Sequence, residues 1–145
     1  MAERTPSPPM QPVARRHVLL ASATCLLPLL LQLPPELGLG FGIAAVLVVA
    51  ASWRRPLHAV FRILLGIGVL LAVAAVSPGI GRDTACALLA GMLALKPSET
   101  ISLRDGRSLV GFALFAPFAT FLLDQGPLSL VLALAAVLLA LLALQ

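Results

Sequence analysis

A chain of 145 residues that is 60% hydrophobic, 11% charged and has a mean hydropathy of +1.05 lacks the polar surface of a water-soluble domain, in which about a quarter of residues are usually charged. Its net charge of +4 comes from basic residues that flank apolar runs, where they act as topology signals, and no aromatic-basic pattern suggests a nucleic-acid surface. Long Leu/Ala/Val runs with short polar breaks predict membrane helices, because barrel strands would alternate polar and apolar residues over about ten positions.

Residues 1–14 carry Pro6, Pro8, Pro9 and Pro12 with Thr5 and Ser7, a composition that predicts a disordered cytoplasmic tail. A transmembrane domain is expected over 15–145. Arg15, Arg16 and His17 precede the first apolar run. Twin arginines in that position also occur in export signals, but the run ends without a small-x-small cleavage site and further apolar segments follow. It reads as an uncleaved first span over 17–33. Pro28 leaves the Thr24 carbonyl without its helical donor, so a kink is expected there.

Pro34, Pro35 and Glu36 end that span, and the second covers 37–52. Gly38 and Gly42 lie four apart on one helical face, a spacing that either lets two helices approach closely or loosens the turn after Pro35. Trp53, Arg54, Arg55 and Pro56 then make an interfacial anchor. In the third span, 58–76, Arg62 lies one turn inside the start, from where its side chain can snorkel to the interface. An intramembrane arginine with a functional role is the alternative.

Ser77, Pro78, Gly79, Ile80 and Gly81 have the composition of a tight turn. The fourth span, 81–96, opens with Arg82 and Asp83, an acid favoured by the dipole at a helix N-terminus. Its apolar part, 84–95, has twelve residues, or about 18 Å at the helical rise, so a re-entrant or interfacial segment is the alternative. Lys96, Glu99, Arg104, Asp105 and Arg107 follow as the longest polar stretch after the tail. Residues 98–104 are expected to form an amphipathic turn with Ile101 and Leu103 facing lipid, anchored by local ion pairs.

The fifth span is 108–123. Pro117 frees the Ala113 carbonyl, and Phe112, Phe115, Phe118 and Phe121 at intervals of three predict a helix-packing face, with an aromatic ligand groove as the alternative. Asp124 is placed to cap the sixth span, 127–144, and Pro127 suits its first turn. The predicted fold is thus all-α, a polytopic transmembrane helical bundle of about six spans arranged as three hairpins. With both termini cytoplasmic, Arg4, Arg15, Arg16, Arg54, Arg55, Arg62, Lys96, Arg104 and Arg107 fall inside and only Arg82 outside. Nine of the ten basic residues therefore sort one way, as the positive-inside rule favours.

The marks Gly81, Arg82 and Asp83, then residues 92–96, Glu99, Arg104, Asp105 and residues 121–125, follow one another over about 45 positions. In order and spacing they resemble the most recognisable block of the N-terminal membrane domain of the TgpA-type transglutaminase-like family (protein-glutamine gamma-glutamyltransferase-like). A weaker likeness covers most of 15–145. Pro97 and Ser98 depart from it, standing where aliphatic residues are expected. The resemblance implies a bacterial inner-membrane location and a periplasmic papain-like domain with Cys-His-Asp machinery further along. This chain is then expected to anchor and position that domain and to be non-catalytic itself.

Arg82, Asp83, Lys96, Glu99, Arg104, Asp105, Asp124 and Gln125 are the candidate site residues, expected to order the two ends of the hairpin formed by spans four and five. No catalytic, cofactor or metal role is expected. A nucleophile needs a base within reach, yet Cys25 and Cys86 lie in apolar runs while His17 and His58 lie at span edges, and no metal-ligand spacing occurs. The rival functions are a small transporter or pore subunit, or a membrane scaffold. Coupled transporters place acids or bases near mid-membrane, whereas Asp83, Glu99, Asp105 and Asp124 fall at segment ends. The expected partners are the lipid bilayer and other membrane helices or a homo-oligomer, without nucleic acid.

Overall fold

The computed structural model describes residues 11–52, 58–77, 79, 81–99 and 102–143. Among these the fold is all-helical. The helices are α1 (Pro12–Gln32), α2 (Pro35–Ser52), α3 (Ala59–Val76), α4 (Arg82–Leu95), α5 (Leu103–Ala113), α6 (Phe115–Leu123) and α7 (Pro127–Ala143), with a 3-10 turn at Lys96–Glu99. The Trp53, Arg54, Arg55 anchor, Arg4 and most of the predicted tail lie outside the described residues.

Two boundaries differ from the sequence reading. Helix α1 starts at Pro12 and so takes in residues 12–14 of the predicted tail; proline suits a first helical position, whose N–H has no partner in any case. Helix α5 starts at Leu103 rather than 108, because Ser102 and Asp105 form a capping box in which each side chain accepts from the other's backbone N–H. The extra turn takes in Leu103 and Arg104 of the amphipathic turn expected at 98–104, whose Ile101 lies outside the described residues. Helices α5 and α6 run end to end and part only at Leu114, three residues before Pro117, which cannot supply the N–H that the Ala113 carbonyl would receive. By contrast α1 runs through Pro28 as one helix of 21 residues.

Helix α1 packs against α2, α4, α5, α6 and α7, most extensively against α7. Helix α4 lies between α2 and α3, and α3 is the peripheral member. Each predicted hairpin has its two arms in contact. The closure of the bundle, first helix on last, is an addition that no hairpin pattern contains.

On α7 the packing runs small side in, large side out, whereas Leu29, Leu93 and Leu109 of other helices are fully buried. On α7, Ala133, Ala136 and Ala140 are buried while Leu130, Leu134, Leu138 and Leu142 are exposed. On α4 the buried set includes Cys86, Ala87, Ala90, Gly91 and Ala94. Small side chains let backbones approach closely, which matters where surrounding lipid would be as apolar as leucine and burial of leucine gains little. The thiols belong to this layer: Cys25 Sγ donates to the Ala136 carbonyl at 3.6 Å and Cys86 Sγ to the Ala119 carbonyl at 3.7 Å.

The phenylalanine series corrects the sequence reading. Phe115 and Phe118 are 61% and 67% exposed, and the face of α6 turned to the bundle is Ala116, Pro117, Ala119 and Thr120. Steps of three residues fall short of the 3.6-residue turn, so the four rings fan round the helix instead of lining one side.

Pro12–Gln32, Ala59–Val76 and the joined Leu103–Leu123 are long and apolar enough to cross a membrane; Pro35–Ala51 and Pro127–Leu142 are shorter apolar helices. Two glycines hold the close approaches. A Cβ at Gly38 would lie 2.5 Å from the Leu30 carbonyl oxygen, so the glycine face of α2 does meet α1. A Cβ at Gly91 would lie 2.3 Å from Val69 Cγ1 and 3.2 Å from Phe41, where α2, α3 and α4 converge. Gly38→Ala and Gly91→Ala are therefore expected to destabilise the detergent-solubilised chain by about 1–3 kcal/mol each, the range for overpacking. Gly40→Ala, which meets nothing within 4 Å, is the control in the same thermal melts and is expected not to lower the midpoint.

Candidate functional site at the two polar ends of the bundle

One end of the bundle gathers the starts of α1, α3 and α5 and the exit of α4. Glu99, on the 3-10 turn, receives Lys96 Nζ at 2.6 Å on one oxygen and approaches Arg62 Nη1 at 3.8 Å with the other. The turn allows this because Pro97 and Ser98, the departures from the family pattern, are both buried and bend the chain back at the end of α4. Arg62 thus reaches α3's neighbour at the bundle end, in agreement with the snorkelling reading. Both ion pairs are more than a third exposed, so each contributes on the order of 0.2–1 kcal/mol. Beneath them lies a cavity of about 440 Å³ lined by Arg62, Met92, Lys96, Ser98, Glu99 and Ser108 among others.

On the same end Asp105 serves the capping box with Ser102, whose backbone N donates to Asp105 Oδ2 at 2.9 Å. Arg104 and Arg107 are exposed. Arg16 lies beside Pro97 across a groove between α1, α2 and α4. Arg15, Arg16, Arg62, Lys96, Arg104 and Arg107 therefore share one end.

At the other end, Asp124 is the residue after α6, in extended conformation. Its carboxylate accepts the Ser129 hydroxyl and, at 3.1 Å, the Gly126 backbone N–H. Gln32, the last residue of α1, donates to Ser129 Oγ at 2.9 Å and approaches Asp124 Oδ2 at 3.5 Å. Asp124 therefore holds the α6–α7 turn and ties it to the end of α1, through the Gly126 N–H and the Ser129 side chain and not through a backbone N–H inside α7. Gln125 is exposed beside it. Arg82 and Asp83 form an exposed pair at 3.5 Å where α4 begins, and Thr84 Oγ1 donates to the Gly79 carbonyl at 2.6 Å.

The eight predicted residues thus divide between two ends, and within each end only some meet. Lys96 joins Glu99, and Arg82 joins Asp83, as local pairs. The partners that tie distant segments were not in the predicted set: Arg62 for Glu99, and Gln32 with Ser129 for Asp124. The Ser102-x-x-Asp105 spacing was a readable cap signal; the Gln32–Ser129 contact, 97 positions apart, had none. Among the described residues no group of three or more His, Cys, Asp or Glu could hold a metal.

These features define a helical bundle with an apolar exterior, charged side chains among the described residues confined to its two ends, and basic residues concentrated at one of them. The sequence places it more narrowly. The chain belongs to the TgpA N-terminal domain family, which it matches over residues 17–145, and membership points to a transglutaminase-associated protein. A comparison with curated proteins found no match, and neither did one with solved structures.

Asp124→Ala and Ser129→Ala are each expected to lower stability by about 1 kcal/mol, the scale of a part-exposed hydrogen bond. The double variant is expected to lose less than the sum, with a coupling of at least about 0.5 kcal/mol in a double-mutant cycle. Arg104→Ala, whose side chain reaches no partner among the described residues, is expected to melt with the parent.

Proposed function

We propose that this chain is the membrane anchor and positioning module of a transglutaminase-like protein, crossing the bilayer six times with its basic end in the cytoplasm and doing no chemistry itself. The observation that carries the reading is the apolar exterior: leucines, isoleucines and valines of α1, α2, α3 and α7 are exposed along these helices, while the charged side chains among the described residues stand at the bundle's ends. Such an exterior is stable in hydrocarbon and would be a large exposed patch in water. Family membership supplies the transglutaminase connection.

The short fourth helix fits this scheme through the turn that follows it. Fourteen residues of α4 and four of the 3-10 turn give about 29 Å at 1.5 and 2.0 Å per residue, against a hydrocarbon core of about 30 Å. Arg82 and Glu99 then stand at opposite interfaces. The concentration of basic residues at the end with Arg15, Arg62 and Arg104 supports a cytoplasmic assignment of that end. The end with Asp124 and Gln125 would face the periplasm, on the side where a transglutaminase-like domain would work.

Cysteine accessibility tests the topology. In a background with Cys25 and Cys86 replaced by alanine, Gln125→Cys is expected to react with a membrane-impermeant maleimide in intact spheroplasts, and Arg104→Cys only after permeabilisation. Labelling of Arg104→Cys in intact spheroplasts would overturn the orientation. The positioning role is tested by reading the coding DNA past Gln145, where a further apolar span and a domain with spaced Cys, His and Asp are expected. A stop codon there with no such domain would leave a stand-alone membrane protein and shift weight to the transport and scaffold readings.

A further inference from the structure

At the basic end, a groove of about 590 Å³ runs between α1 and α2 over the end of α4. Its walls are almost wholly apolar, with Leu19, Leu26, Val46 and Val49 along the sides and Ala94 on the floor. The one hydroxyl in it, Ser22, already donates to the Leu19 carbonyl at 2.9 Å, so the interior offers a ligand no unmet polar group. Arg16 stands at the mouth beside Pro97. Among the described residues no carboxylate pairs with Arg16, whereas Arg62 and Lys96 share Glu99 and Arg82 has Asp83.

We infer that this groove holds one acyl chain of an anionic phospholipid whose phosphate is bound by Arg16. The inference rests on the membrane reading above. From Arg16 to Leu26 the α1 wall is ten residues long, or about 15 Å, which is the depth of one leaflet's hydrocarbon. The guanidinium fork at the mouth matches a phosphate in charge and geometry. Arg16 at the mouth of an apolar interior favours an amphiphile with an anionic head and an apolar tail over a second copy of α1, which carries no carboxylate to meet it. A basic pocket between helices on the cytoplasmic side is a setting in which anionic headgroups are recognised.

The test is lipid retention by the full chain in mild detergent, read by native mass spectrometry with phosphatidylglycerol or phosphatidylcholine. The parent is expected to retain one phosphatidylglycerol at a concentration about fivefold lower than phosphatidylcholine, the factor one arginine contributes near an anionic headgroup. Arg16→Gln is expected to erase that difference and Arg16→Lys to keep most of it. Ala23→Phe, which places a ring in the groove from an exposed position, is expected to weaken retention of both lipids. Parallel thermal melts show that the variants fold. Equal retention of the two lipids by the parent, an unchanged preference in Arg16→Gln, or a dimer lost in Ala23→Phe with no lipid retained would each overturn the inference. A chain found in the soluble fraction would defeat the membrane reading itself, whereas a membrane-embedded chain without lipid preference defeats only this site.

Discussion

The structure depends on close approach of helices at small side chains. Helix α1 touches five neighbours, and a helix with that many contacts must present small residues where backbones come nearest. It does so with Ala21, Ser22 and Cys25, all buried, of which Cys25 meets α7 at Ala136. Cys25 makes the contact directional by donating to the Ala136 carbonyl. On its other side, α2 comes close enough at Gly38 that any side chain would strike the Leu30 carbonyl. Leu29, Val73, Leu93 and Leu109 fill the space between these contacts, and most of the remaining leucines face outward and form the apolar exterior.

That arrangement leaves charged groups nowhere to go but the ends, and there they act as ties. Glu99 connects the exit of α4 to the start of α3, and Asp124 connects the α6–α7 turn to the last residue of α1. The first closes the open end of the α3–α4 hairpin, and the second joins elements far apart in the chain. Single exposed ion pairs are worth little, so their effect is to set register between helices whose apolar contacts would tolerate sliding. The same division explains why the candidate residues fall into two groups separated by the length of the bundle, with no convergent set of acid, base and nucleophile among the described residues.

Much of this was legible from residue order. The runs of Leu, Ala and Val gave helices close to their observed bounds, and the charges at run ends marked the bundle's two ends. Gly38 signalled a close approach because its spacing from Gly42 repeats a helical face. The phenylalanines misled because intervals of three look periodic, although Ala116, Ala119 and Thr120 between them are the residues small enough for the contact with neighbouring helices. In an apolar run, size decides which face turns inward, and hydrophobicity carries no information about it. Ser102 and Asp105 carry a local cap signal in their spacing.

Residue order alone carries the all-helical class, the helices and the concentration of basic residues at one end of the bundle, because composition, proline placement and charge act along the chain within a few residues. Only the tertiary structure decided that α1 is central, that the first helix closes on the last, that α4 separates α2 from α3, and that Arg62 and Gln32 are the distant partners of Glu99 and Asp124. Those outcomes depend on which small faces fit together. Helices of nearly uniform apolar composition offer many faces of equal hydrophobicity, so the choice rests on shape complementarity between residues far apart in sequence.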